Sequence, residues 1–188
     1  DDPREIAAVT VEQRYITDPS DPFFEEKKIL PFEQIEEFYP PEETEILLGV
    51  GYSGMNTVRQ KIFKACKENG YSIAQYVHSS AILNDVHMGE GNIILEDTLV
   101  EPFVEIGSGN MIWCKISIAH NVRIGNYNTI AGMASICGFA HIGNNCFIGN
   151  ASVIRDKIEI ADYTLVGAAA YVSKNTEECS VIAAPKGI

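Results

Sequence analysis

One histidine, His120, lies in the stretch ISIAHNVRIG (116–125), where its neighbours are mostly small, apolar or amide residues. An imidazole exchanges a proton near neutral pH, and this property suits it to general acid–base catalysis. The next residue, Asn121, has an amide that can orient the ring but cannot stabilise an imidazolium by charge. His120 is therefore a candidate general base. A solvated or core histidine without a catalytic role is the alternative.

The segment that must position His120 has a period of six. Sixteen consecutive repeat positions are aliphatic or methionine: Ile82, Met88, Ile94, Val100, Ile106, Ile112, Ile118, Ile124, Ile130, Ile136, Ile142, Ile148, Ile154, Ile160, Val166 and Val172. A helix requires a period near 3.6 and a single strand a period of 2. One short strand plus one turn explains a period of six, which predicts a parallel β-helix with these residues inside. His120, two residues after Ile118, should leave the outer face of its coil.

The residues between the repeat positions favour tight turns. The position after the aliphatic residue is mostly small, and small or β-branched residues recur four positions after it. Four polar residues come just past the small one and suit turns with unusual backbone angles: Asn126, Asn144, Asn150 and Asp162.

Residues 1–76 do not keep this period. Apolar runs in 5–11, 45–56 and 71–77 predict strands, the second of which should be buried and end in a Gly-rich turn. Helices are predicted near 32–39 and 56–70. This order indicates a small parallel α/β unit that joins the β-helix near residues 78–80. Because the sequence begins DDPREIAAVTV, without Met, we expect that an N-terminal part of the natural protein is missing.

Composition excludes several classes of partner. The chain has 26 acidic and 14 basic side chains and a formal charge of −12, which repels phosphate backbones and anionic lipids. We therefore expect neither nucleic-acid binding nor membrane binding, and no apolar run approaches the length of a membrane span. The five cysteines form no C-x-x-C pair, which indicates reduced thiols in a cytoplasmic protein.

A resemblance to a known family spans nearly the whole chain. The segment GYSGMNTVRQKI, then YVHSSAIL, then the hexads resemble the bacterial sugar O-acyltransferase family of hexapeptide-repeat acyltransferases, and GFAHIGNNCFIGNASVI and LVGAAAYV match it in kind. This family includes sialic-acid O-acetyltransferases and N-acetyltransferases of nucleotide-linked amino sugars. The resemblance implies a left-handed parallel β-helix (77–188), with three hexads in each coil, after a truncated Rossmann-like α/β domain (1–76). It also implies a homotrimer with active sites between subunits.

The resemblance also implies roles for individual residues. The family has its general base at the position of His120. In its amino-sugar N-acetyltransferase branch the residue after this histidine is often acidic, and Asn121 departs from that pattern. Gly138 comes one coil of 18 residues after His120, so its N–H is a candidate oxyanion donor as well as a cofactor contact. The further candidates for binding acetyl-CoA are Ala168, Ala169, Arg155, Lys174 and Lys186, and those for binding the sugar substrate are Ser53, Asn56 and Arg59.

Together these features predict an acetyl-CoA-dependent acetyltransferase in surface-polysaccharide biosynthesis, acting on the amine of a nucleotide-linked amino sugar. An O-acetyltransferase on sialic acid or a related sugar is the first alternative. A zinc-dependent or a non-catalytic β-helix protein is the second. The histidines at 78, 87, 120 and 141 do not pair within one short motif, so we expect no metal.

Overall fold

The computed structural model describes residues 6–11 and 28–184, and most of these residues form a parallel β-helix with three sheets. The five-strand sheet contains Val86–Met88, Val104–Ile106, Arg123–Ile124, His141–Ile142 and Glu159–Ile160. The six-strand sheet contains Ile82–Leu83, Leu99–Val100, Ser117–Ile118, Ser135–Ile136, Val153–Ile154 and Tyr171–Val172. The seven-strand sheet contains Tyr76–Val77, Ile93–Ile94, Met111–Ile112, Thr129–Ile130, Phe147–Ile148, Leu165–Val166 and Val181–Ile182. All pairings are parallel, which confirms the predicted parallel β-helix; its left-handed sense stays a prediction.

A column of aliphatic side chains forms the core of the β-helix. Fourteen repeat positions, from Ile94 to Val172, are at most 4% exposed. Residues four positions further on, such as Val122 and Ser152, are buried beside them. Burying an aliphatic side chain of this size contributes about 1.5–3 kcal/mol. The period of six therefore corresponds to the inner position of each strand, as predicted.

The first repeat position was predicted one residue too early. Ile82 is 58% exposed, whereas Leu83 packs against the core. Leu83 pairs with Val100, 17 residues later, so the first coil is one residue shorter than the coils that follow. Counting back in sixes from Met88 therefore reaches Ile82 instead of Leu83.

Three corners join the sheets. Corner A leads from the six-strand to the five-strand sheet and contains 101–103, 119–121, 137–139 and 155–157. Corner B leads from the five-strand to the seven-strand sheet and contains 107–110, 125–128, 143–146 and 161–164. Corner C leads from the seven-strand to the six-strand sheet and contains 113–116, 131–134, 149–152 and 167–170. The third residue of each turn has a positive φ, as in Asn121 (58°) and Phe139 (61°). Its N–H donates to the previous coil, as Phe139 N–H does to the His120 carbonyl at 3.1 Å. These bonds compensate for a conformation that is uncommon outside glycine.

Polar side chains form two ladders at corner B. Asn126 and Asn144 each accept a backbone N–H from the coil before, at 2.8 Å, and Asp162 accepts that of Asn144 at 2.7 Å. A second, buried ladder runs through Asn92, Asn110, Asn128 and Cys146. The first set was predicted to adopt unusual backbone angles, but the positive φ falls on the following residue. Their main role is to cap the outward N–H groups of this corner.

The N-terminal unit contains short elements. Ala8–Val11 pairs in parallel with Lys28–Pro31, and Glu45–Ile46 pairs in parallel with Ser72–Ile73. A 3-10 turn, Phe32–Gln34, and the α-helix Ile35–Phe38 follow the first pair of strands in sequence. The α-helix Thr57–Glu68 lies between the two strands of the second pair.

Two predictions for this unit need correction. The run from residue 45 was expected to be a fully buried strand, but only two residues are extended and Leu47 is 47% exposed. The expected third strand, 71–77, divides in two. Ser72–Ile73 pairs within the N-terminal unit, whereas Tyr76–Val77 already belongs to the seven-strand sheet of the β-helix. The division therefore reflects the transition from one unit to the next.

Candidate active site

The His120 side chain is exposed at corner A and is held by the residue after it. Its Nδ1 lies 3.1 Å from Asn121 Oδ1. Because an amide oxygen only accepts hydrogen bonds, this contact favours the neutral tautomer that has its proton on Nδ1 and its lone pair on Nε2. Asn121 can present its side chain in this way because it occupies the positive-φ position of the turn. The neutral tautomer that results has its basic nitrogen directed away from Asn121.

Gly138 leaves the space in which the His120 ring sits. A Cβ atom on Gly138 would lie 3.0 Å from Cε1 and 3.1 Å from Nε2 of His120. The Gly138 carbonyl accepts the Lys157 N–H at 3.1 Å, whereas its own N–H has no partner within 6–11 and 28–184. A basic nitrogen and an unpaired N–H donor therefore lie close together on adjacent coils. An acyl transfer can use such a pair as the general base and the oxyanion donor.

Two contacts of His120 were not recognised from the sequence. The Phe139 ring, 53% exposed, packs edge-on against the imidazole with 5.1 Å between ring centroids and an interplanar angle of 88°. The Glu101 carboxylate accepts the His120 backbone N–H at 2.9 Å. Both residues are at corner A, 19 residues after and before His120. The sequence signal that could have identified them is their distance from His120, which equals one coil plus one residue.

Of the predicted basic residues, Arg155 lies at corner A and Lys174 lies just past the last strand of the six-strand sheet. Arg155 lies two coils beyond the His120 turn, and its Nε is 3.7 Å from Asp156 Oδ1. Lys174 follows the last strand of the six-strand sheet, in register with His120 and Gly138. Lys186 lies outside the described residues.

Ala168 and Ala169 lie at corner C, across the six-strand sheet from His120. The structure therefore does not bring all the predicted cofactor contacts together within one chain. Gly149, in the previous coil, packs directly against this backbone, since a Cβ there would lie 2.6 Å from the Ala168 nitrogen. The Ala168 N–H has no partner in the described part of the chain.

The three candidate substrate residues lie near the seven-strand sheet and corner B. Ser53 is exposed in the turn before the helix Thr57–Glu68, whereas Asn56 and Arg59 are 0% and 2% exposed. Asn56 Nδ2 donates to the Cys146 carbonyl at 3.0 Å, and its Oδ1 accepts from Thr129 Oγ1 at 2.6 Å. Asn56 therefore joins the start of the helix to the β-helix.

Arg59 makes the largest set of contacts between the helix and the β-helix. Its guanidinium donates to five backbone carbonyls and one hydroxyl, at 2.9–3.2 Å: those of Val50, Gly51, Gly109, Tyr127 and Asn128, and Thr129 Oγ1. Burial lowers the pKa of Arg59 to about 10, so it remains charged at neutral pH. The bonds to Val50 and Gly51 also hold the turn that contains Ser53.

The remaining candidates lie elsewhere. A surface depression of about 460 Å³ on the five-strand sheet is lined by His87, Glu105, Arg123 and His141, away from corner A. Within the described ranges, no group of three or more His, Cys, Asp or Glu residues has the arrangement of a metal site. In the same ranges, no helix is long and apolar enough to span a membrane.

Comparisons with known proteins were made by sequence and by structure. No protein-family model matches the sequence, and no curated protein matches it. Many solved structures are similar in fold. The acetyltransferase domain of PglB from Neisseria gonorrhoeae FA1090, in complex with acetyl coenzyme A, has a TM-score of 0.77 and 16% identity over 96% of this chain and 80% of that one.

Two further structures extend this similarity. A mutant of perosamine N-acetyltransferase from Caulobacter crescentus, in complex with CoA and GDP-perosamine, has a TM-score of 0.77 and 18% identity over 82% of this chain and 73% of that one. WeeI from Acinetobacter baumannii AYE has a TM-score of 0.72 and 22% identity over 83% of this chain and 73% of that one. The chain therefore has the same fold as these three bacterial proteins, of which the PglB domain and the perosamine enzyme are described as acetyltransferases.

Proposed function

We propose that this protein is an acetyl-CoA-dependent acetyltransferase that acts on a bacterial surface-polysaccharide sugar precursor. The observation that carries the proposal is the arrangement at corner A, where Nε2 of His120 lies beside Gly138, whose N–H has no partner among the described residues. The fold shared with acetyltransferase structures supports the same conclusion. We propose the amine of a nucleotide-linked amino sugar as the acceptor, since one similar structure is an N-acetyltransferase with GDP-perosamine bound.

The proposed reaction is direct transfer. The acceptor amine attacks the thioester carbon while His120 Nε2 takes the proton that the amine loses. The oxyanion of the tetrahedral intermediate accepts the Gly138 N–H. When the C–S bond breaks, His120 returns the proton to the CoA sulfur, so that the products are the acetylated amine and free CoA. Burial raises the pKa of the Cys66 thiol to about 11 and that of Cys146 to about 12, so neither is a suitable nucleophile at neutral pH.

Acetyl-CoA binding is proposed at two corners of the β-helix. At corner C, the small side chains of Ala168 and Ala169 allow close approach to the unpaired Ala168 N–H, which suits the amide oxygens of the pantetheine arm. At corner A, Arg155 and Lys174 are partners for the CoA phosphates, and Lys186 is a further candidate. A cytoplasmic location is proposed because this is where acetyl-CoA and nucleotide sugars are available.

A homotrimer with shared sites is proposed because these groups lie apart in one chain. Corners A and C are separated by the six-strand sheet, and Ser53 lies near the seven-strand sheet. A neighbouring subunit would bring corner C, or the turn that contains Ser53, to corner A. Exposed apolar side chains on and beside the six-strand sheet favour such a contact: Trp113 is 45%, Met133 58% and Tyr171 62% exposed.

The N-terminal unit is proposed to be the acceptor-binding, Rossmann-like domain of residues 1–76, followed by a left-handed β-helix in residues 77–188. Ser53 would contact the acceptor directly, because it is exposed in the Gly-rich turn. Asn56 and Arg59 would act indirectly, by holding that turn against the β-helix.

Light scattering tests the trimer. We expect a mass of about 62 kDa, three times the 20.7 kDa of the chain. Mixing inactive His120→Ala subunits with inactive Ala168→Trp subunits should restore some activity, because a mixed trimer contains some sites with both groups intact. Full activity of a monomer at the assay concentration would contradict the shared site.

Gly138→Ala tests the contact between the two catalytic groups. The methyl group would lie 3.0–3.1 Å from the His120 ring, so the exposed imidazole must shift by a few tenths of an ångström. We expect unchanged folding and a fall in kcat of roughly tenfold, since small displacements of catalytic groups are costly. Gly132→Ala is the matched control, because Gly132 has the same place in a corner C turn. An equal fall in kcat in both variants would contradict the role of Gly138.

The decisive experiment for the proposed function is turnover of acetyl-CoA against a panel of nucleotide-linked amino sugars and sialic acids. Release of free thiol that depends on one amino sugar would support N-acetylation. Turnover with sialic acid alone would favour the O-acetyltransferase, for which the same His120 and Gly138 would serve. The absence of acetyl-CoA binding in calorimetry would overturn the proposal.

A further inference from the structure

Glu101 contacts the backbone of His120, and the role inferred for it rests on the proposed function of His120 as the general base. An exposed side chain loses rotamer freedom when it is held in one reactive geometry, so the surrounding residues must restrain it. Asn121 and Phe139 restrain the ring itself. Neither contact fixes the backbone from which the ring projects.

The backbone N–H of the second residue in a corner A turn points outward and is normally left unpaired. Gly138 and Asp156 occupy this position in the next two coils, and their N–H groups have no partner in the described part of the chain. At corner B the corresponding N–H groups are capped by the ladder of Asn and Asp side chains. At corner A, among the described residues, the His120 N–H alone is capped in this way, by Glu101 Oε2 at 2.9 Å.

We propose that Glu101 is a positioning residue for His120. Its carboxylate oxygen accepts the His120 backbone N–H, and this hydrogen bond fixes the turn that directs the imidazole over Gly138. It also engages the His120 N–H, so that the Gly138 N–H remains the unpaired donor beside Nε2. The carboxylate acts through the backbone, since no ion pair within the described ranges includes the His120 ring.

Two substitutions separate the hydrogen bond from the charge of Glu101. In Glu101→Gln the amide oxygen still accepts the His120 N–H, whereas in Glu101→Ala no acceptor remains. We expect Glu101→Ala to lower kcat roughly tenfold with an unchanged KM for acetyl-CoA, and Glu101→Gln to keep most of the activity. Glu159→Ala is the control, since Glu159 is an exposed glutamate on the five-strand sheet.

A second measurement does not depend on turnover. In Glu101→Ala the His120 amide should exchange with solvent faster than in the wild type, and its proton resonance should move upfield, whereas Glu101→Gln should resemble the wild type. If Glu101→Ala leaves both the amide exchange and kcat unchanged, the proposal is wrong. A loss of kcat in Glu101→Gln as large as in Glu101→Ala would also overturn it, because the charge rather than the hydrogen bond would then matter.

These results can be told apart from failure of the proposed function. If no acceptor is acetylated at all, the amide exchange still reports whether Glu101 fixes the turn. If acetylation proceeds without His120, the proposed catalytic role fails while the hydrogen bond itself can still be observed.

Discussion

His120→Ala should lower the rate of acetyl transfer by roughly 10² to 10⁴, the usual effect of removing a general base. The side chain is exposed at corner A, outside the aliphatic core, so the fold and the oligomeric state should not change. Turnover is measured by release of free thiol from acetyl-CoA, and folding by circular dichroism and light scattering. The binding of acetyl-CoA should be retained, because the proposed cofactor contacts lie on other residues.

The matched control for this variant is His141→Ala. His141 is also an exposed histidine of the β-helix, but it projects from the five-strand sheet beside the surface depression. Its removal should change turnover by less than about twofold, as expected for a surface substitution. Near-normal turnover in His120→Ala would remove His120 from the mechanism.

The second large effect is expected in Arg59→Met, which should lower the free energy of unfolding by about 3 kcal/mol or more. The guanidinium supplies hydrogen bonds to six acceptors, and three of the carbonyls belong to the β-helix: those of Gly109, Tyr127 and Asn128. Without Arg59 the Gly109 and Tyr127 carbonyls would have no donor among the described residues, and the Asn128 carbonyl would keep only the Met111 N–H, at 2.8 Å. Urea denaturation, followed by tryptophan fluorescence and circular dichroism, gives the measurement.

Two further variants define the role of Arg59. Arg59→Lys should restore little of the stability, because one ammonium with three donors cannot replace a planar fork with five. Lys61→Met is the control, since Lys61 is exposed on the same helix and should change stability by less than about 0.5 kcal/mol. A free energy of unfolding for Arg59→Met within 1 kcal/mol of the wild type would contradict the proposed joint.

The β-helix could be predicted from the sequence because its inner positions tolerate only one kind of side chain. From Ile94 to Val172 the period of six is unbroken, and all of these residues are buried. The error at Ile82 arose where the first coil is one residue shorter, since a strict count cannot detect a pairing offset of 17. The N-terminal unit was harder to predict because its strands, of two to four residues, do not recur at a fixed spacing in the sequence.

The candidate site could be predicted only where one residue carries the signal. His120 and Gly138 were recognisable from residue type and from the 18-residue spacing, and the structure brings them together. The burial of Arg59 was not recognisable, because its partners lie up to 70 residues away in sequence. An arginine near a Gly-rich turn is equally typical of a phosphate site.

The constant spacing of the coils makes corner A a molecular ruler. Successive coils are separated by about 4.8 Å, so the second residues of successive corner A turns are spaced at this interval along the axis. Gly138 lies one coil from His120. Lys174 lies three coils from His120, a distance of about 14 Å along the axis. The length of a ligand that reaches both ends is therefore encoded by the number of repeats. Deletion of one whole coil between Gly138 and Lys174 would shorten the distance between them by one coil spacing. His120 and Gly138 would remain in contact.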